Sequence, residues 1–314
     1  MIVSVTPNPS VDRTIAVPGI RRGEVVRATS TWHEPSGKGV NVSLALAAHG
    51  RATRAVLPVG GPEGDRLARM LTAAGIDFRP VPIAGEVRSN VSLAEPGGTV
   101  TKINERGPEI TGDEADGLIK AVLDAADGAG WIAGCGSLPP GAPDDFFAEL
   151  CAAVRPGRAR VAVDTSGVPL RAALAARPDL VKPNVVELAD ATGAVITTIG
   201  QALDASALLL DRGAGQVLTS LGRDGALLVT RTGAVHGEVA IDRPRSSVGA
   251  GDALLAGFLA AGADGPDALA AALDWAGAAV SAPGTLLDPA RVDGHWTVRV
   301  HDRPDPDRPL TDRT

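Results

Sequence analysis

The sequence predicts an α/β fold: a mainly parallel sheet flanked by helices, with a small second sheet set apart from it. Three observations carry this reading. Short β-branched runs alternate with longer alanine- and leucine-rich segments, the order that builds strand–helix–strand units. Polar, glycine-rich clusters follow several of those runs. Two stretches, about 12–34 and 85–104, break the alternation and have the look of paired strands.

In chain order, strands are expected at Ile2 to Val5, Arg54 to Val59, Trp131 to Ala133, Arg160 to Val163, Leu180 to Lys182 and Val217 to Ser220. Each is a short apolar run, the form of a strand buried on both faces. Helices are expected at Gly39 to His49, Asp65 to Ala74, Asp113 to Ala126, Asp144 to Val154, Val168 to Ala175, Thr198 to Leu210, Asp252 to Ala261 and Pro266 to Ser281. The irregular stretch "EVRSNVSLAEPGGTVTKIN" reads as a hairpin turning at Pro96 to Gly98. The last residues, 303–314, are charged and proline-rich and read as a tail without fixed structure. The chain before them, 1–302, reads as one domain with the two β segments inserted.

Composition narrows the function. A formal charge of −7, no basic block, four Phe, four Trp and no Tyr argue against a nucleic-acid surface. A small-molecule partner is expected instead. No stretch approaches about 18 uninterrupted apolar residues, and Pro7 and Pro9 interrupt the start of the chain, so neither membrane insertion nor secretion is expected. Two cysteines, Cys135 and Cys151, stand in no metal-ligand or redox spacing, which fits a reducing, cytoplasmic setting.

The polar clusters share a position. "GCGSLPPG", "DTSG", "KPNVVE" and "SLGRDG" each lie at the carboxyl end of an expected strand, the edge where open α/β sheets bind ligands. One such cluster is an ordinary turn; four on one edge point to a site. The familiar nucleotide motifs are absent: "PSGKGV" lacks the spacing of a P-loop, and Leu254 and Pro139 occupy the third glycine position of the two G-x-G runs. His33, His49, His236, His295 and His301 form no zinc spacing.

"SSVGAGDALLAGF", residues 246–258, puts glycines and an aspartate at a helix start. The first amides of a helix have no intrahelical acceptor and, with the helix dipole, favour an anion; glycine lets that backbone come close. Asp252 in this turn has two readings, a partner for the helix dipole or a base. A carboxylate beside a phosphate cradle repels the phosphate, and the placement makes more sense if it takes a proton from an incoming hydroxyl.

"VGAGDALLAGF" and "PSGKGVNVSLALAAHG" resemble the two signatures of the ribokinase-like carbohydrate kinases, the PfkB family. "TPNPSVD", "GEVRSN", "TKINERGP", "GSLPPG", "DTSG", "KPNVVEL" and "SLGRDGALL" lie between them in family order. The resemblance covers almost the whole chain and is strongest to the hexose-phosphate branch. It implies a central sheet with flanking helices, a β lid over the sugar formed by the two irregular segments, and a homodimer joined through the lids. The implied reaction is ATP-dependent phosphorylation of a ketohexose phosphate. D-fructose 1-phosphate is the first choice, with tagatose 6-phosphate or fructose 6-phosphate as alternatives. A sugar-phosphate-binding regulator on a kinase scaffold is the more distant one.

The resemblance assigns Asp252 as the base, with Gly249, Ala250 and Gly251 donating amides to the transferring phosphoryl group. Asn184 and Glu187 match an N-x-x-E element that helps hold Mg²⁺ and the nucleotide phosphates through water; as residues alone they read equally as a helix N-cap and its first-turn glutamate. Lys182, Ser220 and Gly222 match nucleotide contacts. Asp12, Gly37 and Asn41 match groups that bind sugar hydroxyls. Lys38, Arg88 and Lys102, with Arg27 as a weaker fourth, are the cations expected to clamp the substrate's own phosphate. Two residues depart from the family pattern: Ser36 replaces a glycine, and Ala253 replaces a serine. A K⁺ site is bound in some relatives, for which Ser246, Val248 and the "SAPGT" loop could supply carbonyls.

Overall fold

The computed structural model describes residues 1–282 and 294–311. Its core is a ten-stranded sheet in the order β14-β13-β12-β11-β10-β9-β8-β1-β4-β5. The strands are β1 (Ile2–Val5), β4 (Thr53–Val59), β5 (Phe78–Pro82), β8 (Trp131–Cys135), β9 (Arg160–Asp164), β10 (Leu180–Val181), β11 (Val217–Ser220), β12 (Ala226–Thr230), β13 (Gly233–Ile241) and β14 (Trp296–His301). The seven from β5 through β1 to β11 run parallel, and β12, β13 and β14 continue the sheet antiparallel at one edge.

Alternation along the strands feeds two helical layers. Val3, Val5, Ile132, Val161, Val163 and Val217 enter a core with α3 (Gly112–Ala125), α4 (Phe146–Val154), α5 (Gly167–Ala175), α6 (Val185–Thr192) and α7 (Ile199–Asp211). Ile2, Trp131, Ala133, Ala162 and Leu218 point the other way, onto α1 (Lys38–Ala48), α8 (Ala250–Ala260) and α9 (Gly265–Ser281). Adjacent side chains of a strand leave opposite faces, so two-sided burial demands the continuous apolar runs seen in the sequence. Helix α8 is apolar on nearly every side because it lies against both α1 and α9. Helix α2 (Gly61–Ala73) begins ahead of the expected Asp65, with proline in its first turn.

The two irregular stretches form a separate four-stranded sheet, β3-β2-β6-β7, from β2 (Ser10–Ala16), β3 (Ser30–Ser36), β6 (Arg88–Ala94) and β7 (Val100–Ile103). Strands β2 and β6 pair in parallel from Ser10 opposite Arg88 to Ala16 opposite Ala94. The β6–β7 hairpin turns where expected, with Gly97 and Gly98 both at positive φ. Trp32, Val100 and Ile103 remain exposed on this sheet.

The C-terminal segment departs from expectation. Residues 303–311 are not a free tail: Leu310 is buried in the main core, and Pro309 bridges Thr198. The charged, proline-rich composition hid one buried leucine and two backbone acceptors that α7 uses. The last three residues of the expected tail lie outside the described residues.

Candidate active site

The carboxyl ends of the parallel strands meet the start of two helices. Gly37 precedes α1 with φ 124°, and a Cβ there would stand 2.7 Å from Thr6 Cγ2, so the turn after β3 needs glycine. One residue on, Lys38 reaches Asp164, the last residue of β9, with Nζ 2.7 Å from Oδ1. Its Nζ also lies 3.3 Å from Glu187 Oε1. Lys182, following β10, places Nζ 3.0 Å from the other Asp164 oxygen. Two ammonium groups from different elements therefore share one fully buried carboxylate. Burial alone would raise the Asp164 pKa, but Lys182 and Lys38 hold it below the ordinary carboxylate range. Burial alone would lower that of Lys38, and Asp164 and Glu187 outweigh it and move it up.

Asp252 stands in the first turn of α8, 7% exposed, and accepts 2.8 Å from Asn41 Nδ2 on α1. Burial and then the neighbouring Asp164 charge raise its pKa to about 6, against the pull of Lys182 and Lys38. This carboxyl is thus ionised at neutral pH yet a stronger base than an exposed aspartate. The Cys135 thiol beside this cluster is pushed well up by burial and by Asp164 and Asp252, and stays neutral.

Gly249 caps α8 in the left-handed region, φ 79°. A Cβ there would meet nothing within 4 Å, so the backbone angle selects the glycine. The Ala250 amide is taken by Ser247 O at 3.3 Å, and Asp252 and Ala253 both donate to Gly249 O. Among the described residues, Gly249 and Gly251 amides find no acceptor. A Cβ on Gly251 would lie 3.5 Å from Lys182 Nζ, which puts a cation over that turn. The turn thus presents two glycine amides unpaired among the described residues and a lysine beside them, with Ala250 engaged locally.

Asn184 and Glu187 form a reciprocal capping box on α6: Oδ1 accepts from the Glu187 amide at 2.8 Å, and Glu187 Oε2 accepts from the Asn184 amide at 2.9 Å. The helix-cap reading holds for both residues, and Glu187 caps the helix with one oxygen while facing Lys38 with the other. Ser220 ends β11 and bridges Asn184, and Gly222 opens a one-turn 3₁₀ helix at φ 62°.

At the junction with the second sheet, Asp12 Oδ1 accepts from Ser10 Oγ at 2.7 Å and Asn90 Nδ2 at 2.9 Å. The Arg88 guanidinium donates to Glu105 O and Asn8 O at 2.8 and 3.0 Å. Burial lowers its pKa despite the nearby Asp12 and Glu105. Arg88 Nε and the Oδ1 atoms of Asn8, Asn41 and Asn90 are buried without partners, an uncommon concentration of unpaired polar atoms.

The four expected clamp cations occupy different settings. Lys38 belongs to the Asp164 cluster, Arg88 to the sheet junction, and Lys102 and Arg27 are exposed on or beside the second sheet. Ser36 is buried at the end of β3 opposite Ser10, and Ala253, in the first turn of α8, is packed in the core. Of the "SAPGT" loop, Ser281 and Ala282 are described; the remaining three residues lie outside the described residues. Asp164 escaped selection in the sequence. "DTSG" marked its loop, but nothing local revealed that two distant lysines converge on it.

The family model of the pfkB family carbohydrate kinases matches residues 6–291. The chain belongs to that family. This kinase is 38% identical over 270 residues to the 1-phosphofructokinase of Rhodobacter capsulatus, covering 85% of each chain. It is 34% identical over 261 residues to the ATP-dependent 6-phosphofructokinase isozyme 2 of Mycobacterium tuberculosis, covering 81% of this kinase and 76% of that protein. Its fold superposes on the Escherichia coli phosphofructokinase-2 in complex with potassium with a TM-score of 0.86, at 29% identity, over 93% of this kinase and 97% of that chain. Among the described residues no helix is long and apolar enough to cross a membrane.

Proposed function

We propose that this kinase transfers the γ-phosphoryl group of ATP to the 6-hydroxyl of D-fructose 1-phosphate, giving fructose 1,6-bisphosphate and ADP. The observation that carries the chemistry is the buried, weakly acidic Asp252 beside Lys182 and two glycine amides unpaired among the described residues. The 1-phosphofructokinase relatives favour the acceptor. The 6-phosphofructokinase relative supports fructose 6-phosphate as the second reading, with tagatose 6-phosphate beside it.

Asp252 takes the proton of the attacking hydroxyl while Asn41 fixes the orientation of its carboxylate. The hydroxyl oxygen bonds to the γ-phosphorus, and the bond to the β-phosphate oxygen breaks with its electron pair leaving on ADP. Amides of Gly249 and Gly251, with Lys182 and Lys38, balance the charge on the transferring oxygens. This division moves Lys38 from the resident phosphate of the sugar to the travelling one. Ser220 and Gly222 line the nucleotide.

Asp164 and Glu187 already share one cation, the Lys38 ammonium, and so fit a hydrated dication held partly by phosphate oxygens. Mg²⁺ there would neutralise charge on the β- and γ-phosphates. No group of three or more acidic, His or Cys side chains forms a full coordination shell among the described residues, consistent with water and phosphate completing it. A K⁺ ion, as bound by the Escherichia coli relative, would sit by the Ser246 and Val248 carbonyls.

Arg88 anchors the sugar's own phosphate, and Asp12, Asn41 and Asn90 meet its hydroxyls, which supply donors for the unpaired amide oxygens. The second sheet acts as a lid bringing Lys102 over the sugar. Its exposed Trp32, Val100 and Ile103 support a homodimer through the lids. Offering fructose 1-phosphate, fructose 6-phosphate, tagatose 6-phosphate and free fructose as acceptors tests the reading. The first is expected to give the highest kcat/KM; a preference for free fructose would remove the phosphate clamp from the account.

A further inference from the structure

We infer that residues 302–311 form a strap that positions the nucleotide loop, acting through Asp224. This rests on the assignment of Ser220 and Gly222 to the nucleotide.

Beyond β14 the chain turns back across three elements. It caps α7 first: Pro306 O and Arg308 O accept from the amides of Gly200 and Ile199 at 2.9 and 3.0 Å, first-turn donors with no acceptor in their own helix. Leu310 then enters the core, with its amide 2.8 Å from Thr197 O. Arg308 reaches Glu238 on β13 at 2.7 Å. At the end, Thr311 gives Asp224 two hydrogen bonds, its amide to Oδ2 at 2.7 Å and its hydroxyl to Oδ1 at 2.5 Å.

Asp224 is 3% exposed and closes the 3₁₀ turn of the "SLGRDG" loop. Its carbonyl is hydrogen-bonded to His236 Nε2 at 2.8 Å, which leaves its carboxylate to the strap, with Arg308 at 3.7 Å from Oδ1. A buried carboxylate keeps its place only while donors hold it. The backbone of the turn is tied to itself, by the Leu221 amide to Gly225 O at 2.8 Å, and to β13 through His236, so the Asp224 side chain is the part that the strap holds. Without the Thr311 hydroxyl the buried carboxylate loses one of its two hydrogen bonds to the strap, which loosens the turn that carries Gly222, two residues from Ser220. Asp224 and Thr311 are therefore positioning residues for nucleotide binding, while the chemistry around Asp252 lies elsewhere.

The test uses full-length Thr311→Val and Asp224→Asn, with Thr311→Ser as the conservative control. Amide exchange in the ligand-free protein should accelerate in Leu221 to Ala226 for the first two and stay as wild type for the third. KM for ATP should rise ~3- to 10-fold, a fraction of what a full charge-assisted hydrogen bond is worth, with kcat and the KM for fructose 1-phosphate within about twofold. Thr311→Ser should restore the ATP KM. Unchanged loop exchange in folded Thr311→Val, or an equal rise in both KM values, would overturn the strap's role. Wild-type protein that consumes no ATP would instead overturn the nucleotide reading, and the exchange data would still judge the hold on the loop.

Discussion

Asn41 on α1 donates 2.8 Å to Asp252 on α8, joining the two segments that carry the family signatures across 211 residues of sequence. The contact fixes one carboxylate oxygen and leaves the other for a hydroxyl. In the proposed reaction a shift between α1 and α8, which pack directly, would turn Asp252 away from the sugar hydroxyl.

The raised pKa of Asp252 predicts a stability cost. A carboxyl at 3.8 when unfolded and about 6 when folded binds more protons in the folded state, so stability falls as pH rises through this window. The penalty is on the order of 3 kcal/mol above pH 6 and vanishes below about 4. Asp252→Asn should therefore melt higher than wild type at pH 8 and at the same temperature near pH 4. Thermal melts across this range check the sign; a variant less stable at pH 8 would show that the charged form is favoured in the fold.

Asp164→Asn removes the charge shared by Lys38 and Lys182. Leaving the buried Lys182 ammonium without its carboxylate, and Lys38 with Glu187 alone, should cost ~3–5 kcal/mol, measured by denaturant unfolding. The same change withdraws a negative charge from Asp252, so the acid limb of kcat/KM should move below its wild-type position near pH 6. A limb that stays in place would disconnect the two carboxylates.

Arg88→Ala should raise the KM for the sugar phosphate by about tenfold to a hundredfold and leave ATP affinity unchanged, the worth of a charge-assisted bond to phosphate. Calorimetric titration of each ligand separates the two. Equal losses would indicate that releasing the Asn8 and Glu105 carbonyls had disturbed the fold.

Much of this was readable from the chain. The six expected strands are six of the seven that run parallel, since two-sided burial writes itself as continuous apolar runs. The glycines of "VGAGD" were legible as a helix start, and Gly249 does adopt the angle that only glycine takes easily. What escaped had physical reasons. Strand β5 contains Pro80 and Pro82, tolerated because it is the sheet's edge. Strands β13 and β14 mix polar and apolar residues because one face of that edge is less deeply covered. Helix α6 is only eight residues long and was visible chiefly through its capping residues. The Asp164 cluster depends on lysines 126 and 18 residues away, and no local pattern encodes such a meeting.

The second sheet contributes little apolar surface to the main cores, so its order should respond to ligand. Fructose 1-phosphate is expected to slow amide exchange across Val87 to Ile103. ATP alone should protect mainly Lys182 to Glu187 and Ser220 to Gly225. Protection of Val87 to Ile103 by ATP and by no sugar phosphate would remove the lid from the account.

The central claim is that Asp252 is the base in phosphoryl transfer to the 6-hydroxyl, and phosphorus NMR of the product of ATP and fructose 1-phosphate tests it most directly, run with wild type and folded Asp252→Asn. Wild type should give fructose 1,6-bisphosphate, and the variant should bind ATP normally while kcat falls by at least ~10² to 10⁴. Bisphosphate formed at a near-wild-type rate by Asp252→Asn would contradict the claim.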